Sequence, residues 1–185
     1  IKLVATGAFT NGWRAAELLG QRRVNAALPA LRQALHTDDP FLRGKSMVAL
    51  ARMRDSASCA TIRNIFSQND NPRIAIHGAQ ALEQLRTPDD LRRILVKCAE
   101  RAWPEAVLDE MLLAAAGICG IKTPFFRELR AGMQQPDEGR QIITKAITAP
   151  DLRLAAEHFL QSQITGKLPE HLLLLLRMCG ARRSD

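Results

Sequence analysis

Tyrosine is absent, and aromatic residues make up 4% of the 185-residue chain. So few rings leave the core to small aliphatic side chains, which suits elements that pack at close range. No stretch reaches the ~18 apolar residues of a membrane-spanning helix. The run Leu172–Leu176 is short and reads as the core of a closing helix. No alternating stretch is long enough for a strand, and Ile1-Lys2-Leu3-Val4 is too brief to count. The histidines, His36, His77, His158 and His171, show no pair at three- or four-residue spacing and none partners a cysteine, so no metal or other cofactor is expected. Cys59, Cys98, Cys119 and Cys179 are scattered on apolar stretches and read as small core residues in a reducing, cytoplasmic setting. No signal-peptide pattern is visible. The chain opens on Ile1 and not on methionine, which reads as a piece of a longer protein.

What the chain does have is a period. Prolines stand at 40, 72, 104 and 136, always 32 residues apart. A fixed spacing of this size is the signature of a repeat array. Asp39-Pro40 and Asn71-Pro72 suit helix starts: the acid or amide caps free N–H groups, and proline gives up a donor that the first turn leaves unpaired anyway. After each proline the apolar residues recur three and four apart. Leu42, Met47, Leu50 and Met53 form one face; Ile74, Ala79, Leu82 and Leu85 form the matching one. A second stripe precedes each start, as in Leu28, Leu31, Ala34 and Leu35, or Cys59, Ile62, Ile65 and Phe66. Thr87-Pro88, Thr123-Pro124, Ala149-Pro150 and Pro169 supply further starts. These signals predict an all-α chain of five helix pairs, with a capping segment over residues 1–23 and the array over 24–185.

The pattern Asp39-Pro40-x-Leu42-Arg43-x-x-Ser46-x-x-Ala49-Leu50-x-x-Met53 resembles HEAT-type repeats, in particular the short bacterial HEAT-like repeats also found in phycobilin lyases. The family favours a small residue where Ser46 and Gly78 stand and an Ala-Leu pair at Ala49-Leu50 and Ala81-Leu82. Arg43 fits the family's arginine, whereas Ala75 occupies that place in the next unit. The resemblance implies a right-handed α-solenoid. It also implies a binding scaffold, since most members bind and a few are enzymes.

Charge is the other feature. The net charge is +7, and arginine outnumbers lysine 20 to 6. Residues 1–100 hold 15 basic against 9 acidic side chains; residues 101–185 hold 11 against 10. Arg43, Lys45, Arg52, Arg73 and His77 fall at helical spacings on two successive units, and Lys45 and His77 match in register. They are expected to line a groove as a basic stripe, with His77 outward and no aromatic residue interleaved. Such a stripe suits an anionic partner, nucleic acid or an acidic peptide, although a solvated helix face is the plainer reading.

Two other constellations are weaker. Gly44-Lys45-Ser46 ends like a phosphate-binding loop, but Asp39 stands where that motif needs glycine, and the segment is predicted helical. Trp103 with Asp109 and Glu110 matches in kind the aromatic-plus-carboxylate sites of HEAT-like DNA glycosylases, yet it shares none of their local motifs. Trp103 is expected to pack between helices. The reading that results is a non-catalytic module for binding another protein or a neighbouring domain, with nucleic-acid binding as the alternative.

Overall fold

Proline sets where the helices begin. The structure, a computed structural model, describes residues 1–5 and 11–120 and the single positions 122, 123, 125, 126 and 175. Helices run α1 Lys2–Ala5, α2 Gly12–Gln21, α3 Leu28–Ala34, α4 Pro40–Arg52, α5 Cys59–Gln68, α6 Pro72–Leu85, α7 Pro88–Glu100 and α8 Glu105–Ile118. No strand occurs among the described residues. None of their helices is long and apolar enough to cross a membrane.

The expected starts at Pro40, Pro72 and Pro88 are met to the residue. Asp39 accepts a hydrogen bond from the Phe41 N–H, and Asn71 accepts one from the Arg73 N–H, both at 2.9 Å. Thr87 and Asp90 form a reciprocal capping box, each side chain accepting from the other's N–H at 3.2 Å. Pro104 differs by one position. Its backbone is extended, with ψ at 139°, so it precedes α8 instead of opening it. The starts predicted at Pro124, Pro136, Pro150 and Pro169 lie outside the described residues.

The chain divides into two compact units, Ile1–Leu85 and Arg86–Asp185. In the first, α3 packs on α4 and α5 on α6, so each forms a helix pair. The second helices stack side by side, α2 on α4 and α4 on α6. In the second unit α7 pairs with α8. Three pairs are thus described, and the remaining two of the expected five fall beyond them.

The core follows the repeat. Leu50 and Leu82 are both fully buried, flanked by buried Ala49 and Ala81. Burying a leucine of this kind contributes about 1.5–3 kcal/mol. Small residues set how closely the helices approach. A Cβ on Gly20 of α2 would lie 2.6 Å from the Ala49 Cα of α4. Of the cysteines, Cys98 and Cys119 are buried and Cys59 is half-buried. Burial pushes the Cys98 thiol well above its usual range. Cys179 lies outside the described residues.

One feature recurs that the periodicity did not signal. Arg23, Arg54 and Arg86, each just past a second helix, have φ of 50°, 57° and 58°. After α2 and α4 the backbone closes in the same way. The N–H of Val24 reaches Leu19 O at 3.1 Å, and that of Asp55 reaches Leu50 O at 3.0 Å. This is a Schellman cap, whose left-handed residue is usually glycine. A side chain in that conformation costs about 1–2 kcal/mol.

Candidate functional site

Stacking the second helices brings residues of their first two turns into one row. Trp13 of α2 and Phe41 of α4 have ring centroids 6.0 Å apart, and Phe41 and His77 of α6 are 6.2 Å apart. The Arg73 guanidinium lies 3.7 Å from the Phe41 centroid, and that of Arg14 lies 5.0 Å from the Trp13 centroid. Trp13 and Phe41 are half-buried; Arg14 and Arg73 are exposed. Cation–π contacts of this kind contribute about 0.5–1 kcal/mol when exposed. They also keep the guanidiniums beside the rings.

The five residues expected to form a basic stripe meet different fates. Arg73 is on this face, capping Phe41. Lys45 is tied to Glu17 of α2 at 3.0 Å, with its side chain 20% exposed, so its charge is compensated. Arg43 is half-buried, and its Nε is buried without a hydrogen-bond partner among the described residues. Arg52 is half-buried in the last turn of α4, away from the aromatic row.

His77 corrects the expectation most clearly. It is not outward-facing but 8% exposed. The physical reason is Gly44. A Cβ there would meet the His77 ring at 2.6 Å, so the missing side chain is the space the imidazole fills. Its Nδ1 pairs with the Arg73 carbonyl at 2.8 Å. Burial pushes the His77 pKa down, the Lys45 cation adds to this, and the hydrogen bond to the Arg73 backbone opposes it. The Gly44-Lys45-Ser46 resemblance to a phosphate loop is resolved in the same way: the three residues sit inside α4, and Gly44 serves packing.

The absence of interleaved aromatics is also overturned. Trp13 and Phe41 stand beside the basic residues. The sequence held a usable signal for half of this. Phe41 and Arg73 are 32 residues apart, and the period places equivalent positions of neighbouring repeats side by side. Trp13 lies outside that register, and only the packing of α2 on α4 reveals it.

An ion pair anchors the rear of this unit. Arg32 of α3 grips Asp55, just after α4, through both carboxylate oxygens, with Nε–Oδ2 at 2.9 Å. The Ser58 hydroxyl also donates to Asp55. The Arg32 hydrogen bonds, and after them the one from Ser58, hold the Asp55 carboxyl below the usual carboxylate range. Apart from this, a cleft of about 330 Å³ is lined by Val4, Gln33, His36, Thr37 and Leu42, among others, and it shares no residue with the stripe.

In the second unit Trp103 packs as expected. It is 9% exposed, and its indole N–H donates to the Lys97 carbonyl at 2.8 Å. The Arg101 guanidinium and the Lys97 ammonium lie 4.9 and 5.6 Å from its ring centroid. Among the described residues no group of histidine, cysteine or carboxylate side chains is placed to hold a metal ion.

Comparison with known proteins agrees with the architecture. Residues 12–83 match the family of HEAT repeats. The match begins at the first residue of α2 and ends within α6, so it spans the three stacked second helices. No curated protein and no solved structure matches the chain.

Proposed function

We propose that these HEAT repeats form a non-catalytic interaction module, whose aromatic–arginine row on α2, α4 and α6 binds a segment of another protein or of a neighbouring domain. HEAT repeats generally mediate protein interactions. The observation that carries the reading is the row itself: Trp13, Phe41, Arg14 and Arg73, drawn from the stacked helices α2, α4 and α6. Tryptophan and arginine are the residue types that dominate binding hot spots. Here each arginine already lies against a ring, so less side-chain freedom is lost on contact.

The test is a peptide-display selection on the folded protein, followed by affinity measurement of the recovered peptides. Trp13→Ala combined with Arg73→Ala is expected to weaken them about tenfold or more, since hot-spot truncations cost over ~1 kcal/mol each. Peptides that bind this variant as well as the parent would sink the proposal. Nucleic-acid binding is the second reading, supported by the net charge of +7 and by the two rings beside the arginines. It requires affinity for a single strand that falls steeply with salt and is lost on Trp13→Ala.

A further inference from the structure

The opposite ends of the same helices carry a different surface. α2 ends at Gln21 and is followed by Arg22 and Arg23; α4 ends at Arg52 and is followed by Met53 and Arg54. The two ends are brought together where Gly20 meets Ala49, since a Cβ on Gly20 would lie 2.6 Å from the Ala49 Cα. The arginines begin two residues beyond Gly20 and three beyond Ala49. We propose that Arg22, Arg23, Arg52 and Arg54 form a second docking edge, which binds an acidic, extended segment of a partner protein.

Three observations support it. The first is that the local acids are already engaged. Asp55, next to Arg54, is gripped by Arg32 and Ser58, and Glu17 of α2 is paired with Lys45. None of the four arginines makes an ion pair among the described residues. Their charges therefore add. The second is conformational. Arg23 and Arg54 hold the left-handed position of their helix caps, at φ 50° and 57°. Glycine would close those caps without strain. Compensation of the helix dipole does not explain the choice, because Arg52 in the last turn of α4 and Arg22 at the C-cap of α2 already provide it. Two consecutive repeats thus hold arginine where the backbone favours its removal. Such retained strain points to use.

The third is chemical. All four residues are arginine, whose planar fork takes a carboxylate through two parallel hydrogen bonds. Among the described residues, no aromatic side chain belongs to the caps of α2 and α4 to stack a base. The partial negative charge at each helix C-terminus lies beneath the edge. Spaced carboxylates tolerate that field better than the continuous charge of a phosphate backbone.

The experiment uses a fluorescein-labelled peptide of alternating glutamate and glycine, read by anisotropy at low salt. The variant is Arg23→Gly with Arg54→Gly, which removes two charges and the strain together. Asparagine at both positions is a second variant that also accepts the left-handed conformation. Both variants are expected to melt no lower than the parent and to bind the peptide about tenfold more weakly, as the loss of two ion pairs implies. Trp13→Ala is expected to leave this binding unchanged, which separates this edge from the aromatic row. The proposal is overturned if the parent shows no saturable binding, or if both variants bind as it does. It is equally overturned if a single-stranded oligonucleotide or an anionic phosphatidylserine vesicle binds the parent more tightly than the peptide.

Discussion

The helices that begin at Pro40 and Pro72 follow one template, and one shared position shows how far they diverge. Both open on a capped proline, bury an Ala-Leu pair and run into a left-handed arginine. Lys45 and His77 stand 32 residues apart and both reach back toward the preceding second helix. Lys45 meets Glu17 there and stays partly in water. His77 meets Gly44 and sinks into the interface. The same register thus yields a surface ion pair in one repeat and a buried ring in the next. What the facing helix offers makes the difference: a carboxylate in α2, a missing side chain in α4. Repeat position selects which neighbour a residue meets. It does not select the interaction.

The largest effects test the shared part of the template. Leu50→Ala and Leu82→Ala are each expected to cost about 2–5 kcal/mol in chemical denaturation, as buried leucine truncations do. If the template governs the core, the two losses agree within about 1 kcal/mol, which is inside the spread of the same series. A Leu82→Ala variant that denatures like the parent would break the equivalence.

The next tests address the divergence. Gly44→Ala and Gly20→Ala each force an atom into occupied space and are expected to cost about 1–3 kcal/mol. The two differ in how they can be rescued. His77→Ala added to Gly44→Ala removes the obstructing ring, so the pair should couple by about 0.5–3 kcal/mol in a double-mutant cycle. Gly20→Ala gains nothing from His77→Ala, because its obstruction is the Cα and Cβ of Ala49. Additive energies at Gly44 and His77 would remove the structural reason given for the buried histidine.

The divergence also predicts a dependence on pH. The folded state lowers the His77 pKa from 6.5, chiefly through burial, so the unfolded chain takes up the proton first. The stability held by the neutral ring is therefore complete above about 6.5. It is lost as the pH falls through that value toward the depressed folded pKa. Lys45 and Arg73 face the ring and deepen the loss, while Glu17 moderates it. Thermal melts between pH 7.5 and about 5 should fall more steeply for the parent than for His77→Gln. Parallel curves would show that His77 does not titrate against the fold.

The smallest effect returns to the shared cap. Arg54→Gly is expected to raise stability by about 0.5–1 kcal/mol, the relief of left-handed strain less the added freedom of glycine in the unfolded chain. A loss of similar size in urea denaturation would mean that the Arg54 side chain stabilises the fold.

Much of this was readable in advance, for identifiable reasons. The helix starts at Pro40, Pro72 and Pro88 were legible because caps are local chemistry, complete within four residues. The burial of Leu50 and Leu82 was legible because a helical period marks a face without knowledge of its partner. The aromatic row was only partly so. Phe41 and Arg73 share a register and stack, yet Trp13 joins them through the placement of α2, which no spacing announces.

The sequence by itself determined the repeat, the helix starts at Pro40, Pro72 and Pro88, and the apolar faces, all properties set by residues near one another along the chain. Only the tertiary structure decided that Gly44 is a socket for His77, that Glu17 neutralises Lys45, and that the ends of α2 and α4 meet at Gly20 and Ala49. Each of these joins residues about 30 positions apart, and its outcome depends on angstrom-scale space between helices. A side chain's charge or polarity is written in the sequence; whether it is spent on a neighbour or left for a partner is settled only when the helices pack.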